Sequence, residues 1–335
     1  MKKAQNLPPL TSAEIANLWI SYQNDTMAVC IYKYFLNHVE DRDVRSLIAY
    51  TLHIAEEHVA DVTNIFKKEN LPLPKGFDEK YDANVDASRL FSDTLYLIHI
   101  TDISKFALSA YGYALAVVSR EDIVAYYTKC LEETIKLHND SIATEVKKGL
   151  YIAPPKIPKP EGIDFVKRTD FLAGWFDRRP LLAIEISNLV YNTKRNAVAQ
   201  AFATGFSQVA QNPEVVKFFE QARELTGKQL ENLNGLLNKD YLSATLSVTS
   251  EVTTSTVPPF SDKLMMYHAT AFTSSGVAQY GVAMSQSPRR DIGVVYAKMV
   301  AEIALFAQKG ANILIDNGWM EQPPGAADRK RLARE

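Results

Sequence analysis

One sequence pattern occurs twice in this chain, as Phe91-Ser92-Asp93-x-Leu95-x-x-x-His99 and as Phe260-Ser261-Asp262-x-Leu264-x-x-x-His268. The second copy lies 169 positions after the first (268 minus 99). The same offset relates Tyr111 to Tyr280, Arg120 to Arg289, Asp122 to Asp291 and Tyr127 to Tyr296. About 18 identities fall in roughly 65 ungapped positions, where chance gives about four. The chain is therefore predicted to be a tandem duplication.

Each copy is predicted to form four long helices. The first helix begins with Thr11-x-x-Glu14, a capping-box pattern, and apolar residues follow at helical spacing. The third, over about residues 88 to 118, is apolar around most of its circumference, as a central or dimer-facing helix would be. Asp122 and Asp291 are expected to cap the fourth helix of each copy, and Gly112 and Gly281 to allow close helix contact. These patterns predict an all-α protein built from two four-helix bundles.

A proline-rich stretch, residues 153–162, separates the two copies. We therefore predict a first bundle over residues 1–160 and a second over 161–335, held at a preferred separation by a stiff linker. The long connection between the second and third helices of each bundle leaves two topologies open. A crossover would make these helices parallel, whereas a compact loop would give an up-down bundle.

The composition is that of an ordinary globular protein, with 47% hydrophobic and 23% charged residues among 335. A net charge of −2 gives no indication of nucleic acid or an anionic membrane as a partner. The chain has no secretory signal pattern and no apolar run of about 18 residues. Cys30 and Cys130 lie in apolar helical stretches, where buried reduced thiols are common. We expect a cytoplasmic protein with neither nucleic-acid nor membrane partners.

A di-iron site in a four-helix bundle requires Glu-x-x-His on two helices, and none of the six histidines has a glutamate three positions before it. A reduced metal site is a second option, because His99 and His268 are the histidines that the duplication keeps in register. In the up-down topology Glu14 and His58 would join His99, a ligand set for zinc, iron or manganese. The second copy offers Glu185 and His268, with the poor ligand Gln229 in place of His58. In the crossover topology the candidate ligands would instead be the polar groups near the middle of the bundle, which are Asp25, His53, Glu56, Glu57, His99 and Glu133.

A simpler interpretation needs no metal. A histidine inside a bundle is commonly a core or interface residue, and Glu14 and Glu185 lie in first helical turns, where free N–H groups favour a carboxylate. The sequence also has no phosphate-binding glycine loop, no Gly-x-Ser-x-Gly elbow and no Cys/His nucleophile pattern.

A resemblance to a known family is carried by residues 260–268 and 317–324, and residues 149–155 are the first-repeat counterpart of the second stretch. The chain resembles a duplicated-bundle family of unknown function from spore-forming bacteria, whose members are sometimes labelled spore-coat-protein-like. The resemblance implies a ferritin-like four-helix bundle in each half, and a bacterial, spore-linked setting. It implies no established activity, and it carries over no metal site.

Two functional hypotheses follow. The first is a non-catalytic structural or interaction protein that presents helical faces to spore-coat-type partners or to a second copy of itself. The second is a metal-binding protein with an oxidoreductase-type role, in which iron, zinc or manganese is held by His99 and His268 with Glu14, His58 and Glu185. The sequence favours the first hypothesis.

Overall fold

The structure, a computed structural model, describes residues 7–175, 178–243 and 247–334. In the first repeat the helices are α1 (Ser12–His38), α2 (Arg42–Lys68), the short α3 (Glu79–Asp82), α4 (Asp93–Val117) and α5 (Glu121–Lys147). In the second repeat they are α6 (Ala183–Val209), α7 (Pro213–Asn238), α8 (Asp262–Ser285), α9 (Arg290–Asp316) and the short α10 (Arg329–Leu332). The prediction of a duplicated all-α protein is confirmed. None of these helices is long and apolar enough to cross a membrane.

The first helix begins where the capping box predicts. The Thr11 hydroxyl accepts a hydrogen bond from the Glu14 N–H, and the Glu14 carboxylate accepts one from the Thr11 N–H. The third long helix of each repeat begins after a serine cap: Ser92 accepts from the Leu95 N–H, and Ser261 accepts from the Leu264 N–H.

The expected caps at Asp122 and Asp291 are wrong. The N-cap residues of α5 and α9 are Arg120 and Arg289, and neither forms a side-chain cap hydrogen bond. The two aspartates instead accept paired hydrogen bonds from the guanidinium groups of these arginines, at 2.8 to 3.0 Å. An arginine two residues before an aspartate offers a planar donor pair that a carboxylate matches, and this arrangement takes the carboxylates away from the helix N–H groups.

The connection between the second and third long helices crosses over in both repeats. The Asp93 carboxylate, at the start of α4, accepts from the N–H groups of Glu40 and Asp41, just before α2. The starts of α2 and α4 therefore lie at the same end of the bundle, and the two helices run parallel. Asp262 makes the matching contacts with the N–H groups of Gln211 and Asn212.

The two crossover connections pair with each other. Ala83 forms an antiparallel bridge with Phe260, and Phe91 forms one with Val252. Residues 252 and 260 lie 169 positions after residues 83 and 91, so the two bridges join the same two equivalent positions in opposite order. Such reciprocal contacts are typical of a two-fold interface between identical subunits. The two repeats of one chain are thus arranged like the subunits of a two-fold dimer.

The reciprocity extends to side chains. The Ser92 hydroxyl donates to the Glu251 carboxylate at 2.5 Å, and the Ser261 hydroxyl donates to the Asp82 carboxylate at 2.7 Å. Asp82 and Glu251 are again 169 positions apart.

One hydrophobic core joins the two repeats, which corrects the expectation that a stiff linker separates them. Phe35, Phe91 and Leu95 of the first repeat belong to the same buried cluster as Phe206 and Phe260 of the second. Smaller clusters fill the far part of each bundle. The apolar circumference of the third helix is explained by this contact, because α4 packs on α6 as well as on its own bundle.

The linker itself lies outside the core. Residues 156–170 are all exposed and, apart from the start of a 3₁₀ turn at Thr169–Leu172, contain no helix. Their side chains include Ile163, 90% exposed, Phe165, 81% exposed, and Val166, 62% exposed.

Candidate functional site

The two glutamates predicted as metal ligands, Glu14 and Glu185, join helix ends. The Glu14 carboxylate accepts from the N–H groups of Thr11, Ser119 and Arg120, at 2.7 to 3.1 Å. Burial alone would raise the pKa of Glu14, but these donors lower it to about 2. Glu185 accepts from the Arg179 guanidinium and from the N–H groups of Leu182 and Arg289. Both carboxylates are fully engaged in hydrogen bonds that fix the start of one helix to the start of another.

His58, near the middle of α2, lies in a buried polar cluster with Asp25, Glu133 and Tyr111. Its Nε2 atom is 2.8 Å from the Glu133 carboxylate. Its Nδ1 atom is 3.7 Å from the nearer Asp25 oxygen and 3.4 Å from the Tyr111 hydroxyl. We call these four residues the first-repeat cluster. Asp25 and Glu133 belong to the set predicted for the crossover topology.

The imidazole of His58 is protonated in this surrounding. Burial opposes its charge, but the adjacent Asp25 carboxylate outweighs burial and raises the pKa of His58 to about 11. Burial raises the pKa of Asp25, and the His58 imidazolium opposes that rise. The first-repeat cluster therefore holds a buried ion pair.

The second repeat keeps the acidic side chain of this cluster, with Glu302 at the position of Glu133, but replaces the Asp25–His58 pair. With the 171-position offset of the first two helices, Asn196 replaces Asp25 and Gln229 replaces His58, while Tyr280 matches Tyr111. The Asn196 amide donates to the Tyr280 hydroxyl at 2.5 Å, and this hydroxyl donates to the Gln229 carbonyl at 3.1 Å. The Asp25–His58 pair of one repeat is thus replaced by two neutral amides in the other.

His99 and His268 meet at the interface between the repeats. Their ring centroids are 5.4 Å apart, and the Phe202 and Phe272 rings pack against both. The Nδ1 atom of His99 and the Nε2 atom of His268 are buried without a hydrogen-bond partner among the described residues. Burial keeps both imidazoles neutral, since it lowers the pKa of His99 well below its usual range and that of His268 to about 3.

Of the ligands Glu14, His58, His99, Glu185 and His268, the structure brings together only His99 and His268, and of the crossover set it brings Asp25 and Glu133 together around His58. Glu14 lies about 16 Å along α1 from Asp25, the cluster partner of His58, at about 1.5 Å per residue. Within residues 7–175, 178–243 and 247–334 there is no group of three or more His, Cys, Asp or Glu side chains arranged to hold a metal ion.

From the sequence alone, Tyr111 and its counterpart Tyr280 could line a pocket, but their helical spacing favours a place in the core. The signal that could have revealed the place of Tyr111 is the register of the repeats, which keeps this tyrosine while changing Asp25 and His58 to amides.

Comparison with known proteins gives one structural neighbour and one family. The chain is similar to the crystal structure of a "putative spore coat protein" from Bacillus halodurans C-125, with 18% sequence identity and a TM-score of 0.42. The similarity covers 45% of this chain and 98% of the other. A search of the curated proteins returns no match.

The family model described as "Protein of unknown function (DUF3231)" matches the sequence twice, over residues 1–163 and 170–332. These two matches confirm the duplication that the repeated Phe-Ser-Asp motif predicts, and they confirm the resemblance indicated at residues 260–268 and 317–324. The chain therefore belongs to the DUF3231 family and carries two copies of its domain.

Proposed function

We propose that this chain is a non-catalytic structural or interaction protein, in which a fused pair of bundles displays the linker to a partner protein. The observation that carries the proposal is the exposure of apolar side chains along residues 156–170, among them Ile163, Phe165 and Val166. Exposed apolar residues that cluster in one segment are typical of protein interaction sites.

The linker has the form of a peptide ligand. Its first part contains Pro155-Lys156-Ile157-Pro158, a Pro-x-x-Pro spacing, followed by Pro160. Such segments favour the extended polyproline II conformation, which loses little conformational entropy when it binds an aromatic-lined groove. We therefore propose a partner protein with an aromatic groove that accommodates the prolines and an adjoining apolar surface for Phe165 and Val166.

The rest of the molecule supports a scaffold role. Residues that the duplication keeps have structural roles: Ser92 and Ser261 cap helices and bond to the other repeat, and Arg120 and Arg289 bond to Asp122 and Asp291 within their own repeat. The parallel arrangement of α2 and α4 supports a ferritin-like connectivity for each bundle, without the ligand pattern of a di-iron site. The spore-linked setting and the cytoplasmic location are part of the proposal, and the first rests on the resemblance of the motifs at residues 260–268 and 317–324.

The proposal is tested by following a tagged chain in a sporulating bacterium. We expect the wild-type chain to fractionate with spores, and the triple variant Ile163→Ser/Phe165→Ser/Val166→Ser to lose most of this association. The matched control replaces exposed apolar residues on the helices, Val146→Ser/Val294→Ser/Leu305→Ser, and should retain it. Equal thermal melting of the two variants would show that folding is not the cause. If the linker variant remained with the spores as the wild type does, the linker would have no role in docking.

A metal-binding role is the second candidate, favoured by the close approach of two neutral imidazoles, His99 and His268. Neutral imidazole is the form that binds iron, zinc or manganese, and further ligands would have to come from water. Elemental analysis of protein purified without an affinity tag decides between the candidates. About one metal ion per chain, lost in both His99→Ala and His268→Ala, would favour the metal role, whereas metal content that neither change affects would reject these histidines as ligands.

A further inference from the structure

A cavity of about 130 Å³ lies between α1 and α4 of the first repeat and α8 of the second. Its walls are mostly apolar and include Ile20, Ala28, Phe106 and Ala110. An engineered protein cavity of about 150 Å³ with similar walls holds benzene. The space is therefore sufficient for the apolar part of a small molecule.

The lining of the cavity also includes polar side chains, among them Asp102 and, from the first-repeat cluster, Asp25. This side chain is 7% exposed, and its Oδ2 atom has no hydrogen-bond partner within the described chain. A buried carboxylate oxygen without a donor is costly, and a donor from a bound molecule would remove that cost.

The charge of the first-repeat cluster indicates which donor fits. Asp25 and Glu133 are two acidic side chains beside the single imidazole of His58; Glu133 lies 2.8 Å from its Nε2 atom, whereas the nearer Asp25 oxygen lies 3.7 Å from its Nδ1 atom. The nearest lysine, Lys129, is 4.0 Å from Glu133 and bonds more closely to Glu57 and Asp61, at 2.9 and 3.1 Å. A cationic donor would form a charge-assisted hydrogen bond with the Asp25 carboxylate, which is stronger than the bond from a neutral donor.

The second repeat has an amide, Asn196, at the position of the Asp25 carboxyl group. A smaller cavity of about 70 Å³ lies among α6, α7, α8 and α9, and its lining includes Asn196 and Ala199, the counterparts of Asp25 and Ala28, and Arg195, where the first repeat has Asn24. Asn196 donates to the Tyr280 hydroxyl, which donates to the Gln229 carbonyl, and the Gln229 Nε2 atom has no hydrogen-bond partner within the described chain. In the first repeat an unpartnered oxygen of Asp25 lies at a cavity of about 130 Å³, where the second repeat has the neutral amide of Asn196.

We infer that the first-repeat cavity binds a small apolar molecule carrying one protonated amine, with the amine against Asp25 and the apolar body between α1, α4 and α8. The inference goes beyond the proposed function, because it concerns the interior of the fused bundles and not the linker. Loss of linker docking would leave it unaffected.

The test compares four molecules of one shape by isothermal titration calorimetry with the wild-type chain: 2-phenylethylamine, 2-phenylethanol, ethylbenzene and phenylacetate. We expect the amine to bind with one site per chain, and about tenfold more tightly than the alcohol or the hydrocarbon. A charge-assisted hydrogen bond exceeds a neutral one by about 1 kcal/mol or more, which corresponds to a factor of this size. Phenylacetate should bind most weakly, because its carboxylate would face Asp25. Equal binding of the amine and the carboxylate, or no saturable binding of the amine, would overturn the inference.

Two matched variants locate the site. Ala28 lines the first cavity, and Ala199, 171 positions later, lines the second. We expect Ala28→Leu to abolish binding of the amine and Ala199→Leu to leave it intact; the reverse result would overturn the assignment.

The double variant Asp25→Asn/His58→Gln, which copies the second repeat, should weaken binding of the amine about tenfold and leave binding of ethylbenzene unchanged. If it left the amine unchanged as well, Asp25 would not be the amine's partner. The comparison of the four molecules uses the wild-type chain and holds even if a variant fails to fold.

Discussion

At the scale of single residues, the two repeats differ by two substitutions in one buried cluster. The buried ion pair of Asp25 and His58 in one repeat corresponds to the amides Asn196 and Gln229 in the other, within the same helices and beside the same tyrosine. Removing one partner of a buried ion pair costs about 3 to 5 kcal/mol, because the other charge is left without compensation. Replacing both partners avoids that penalty.

We therefore predict that His58→Gln alone lowers the free energy of unfolding by about 3 to 5 kcal/mol. Adding Asp25→Asn should restore at least about 2 kcal/mol of this loss, because the uncharged residue at position 58 is then no longer flanked by two carboxyl side chains. Urea unfolding of the wild type, both single variants and the double variant measures the coupling. Additive effects of the two changes would mean that the side chains do not interact.

The raised pKa of His58 also predicts a dependence of stability on pH. A group whose pKa is higher in the folded state stabilises the fold fully below its unfolded value, near 6.5, and this contribution is lost as the pH rises toward about 11. We expect the stability advantage of the wild type over Asp25→Asn/His58→Gln to shrink steadily between pH 7 and pH 10. The comparison between the two proteins cancels the titration of groups that they share, and an advantage constant over this range would contradict the assignment.

At the scale of helices and connections, glycines show where elements approach closely. A Cβ atom on Gly205 of α6 would lie 2.5 Å from the buried Phe91 ring, whereas one on Gly112 or Gly281 would meet no atom within 4 Å. The expectation that Gly112 and Gly281 allow close helix contact is thus wrong, and the close approach occurs where a crossover connection inserts an aromatic ring against α6.

We predict opposite effects for two Gly→Ala substitutions inside helices. Gly205→Ala should lower the free energy of unfolding by about 1 to 3 kcal/mol, because Phe91 is packed against Phe202 and has no free space to enter. Gly112→Ala should raise it by about 0.5 to 1 kcal/mol, since alanine favours the helix and meets no neighbour. Equilibrium unfolding in urea measures both. A stabilising effect at Gly205 would show that the ring is not held in place.

How far the sequence predicts the structure depends on whether a feature is local or spans the repeats. The helix starts at Thr11 and Ser92 follow from hydrogen bonds over three residues, so local pattern is sufficient. The contact of Ala83 with Phe260 joins residues that no local rule relates, and only the two-fold arrangement of the repeats explains it. The partners of His58 depend on the direction of α4 relative to α2, which the sequence left open.

At the scale of the whole molecule, the fused repeats replace two subunits of a two-fold dimer. A buried cluster that includes Phe91, Phe206, His99 and His268 lies at their interface, while the linker that connects them lies outside it. The noncovalent contacts, and not the linker, should therefore hold the repeats together. The proposed division into units 1–160 and 161–335 then marks a boundary in the chain but no boundary in the core.

We predict that cutting the linker leaves the protein intact as an assembly. A protease site inserted at Gly162, within the fully exposed segment, allows the chain to be cut after folding. Sedimentation should show one species of about 37.5 kDa before and after the cut, because separating the repeats would expose the apolar core that they share. The melting transition should remain single, although it becomes dependent on protein concentration once the covalent connection is lost. Two separating fragments of about half the mass would show instead that each repeat forms its own closed core and that the linker alone keeps them together.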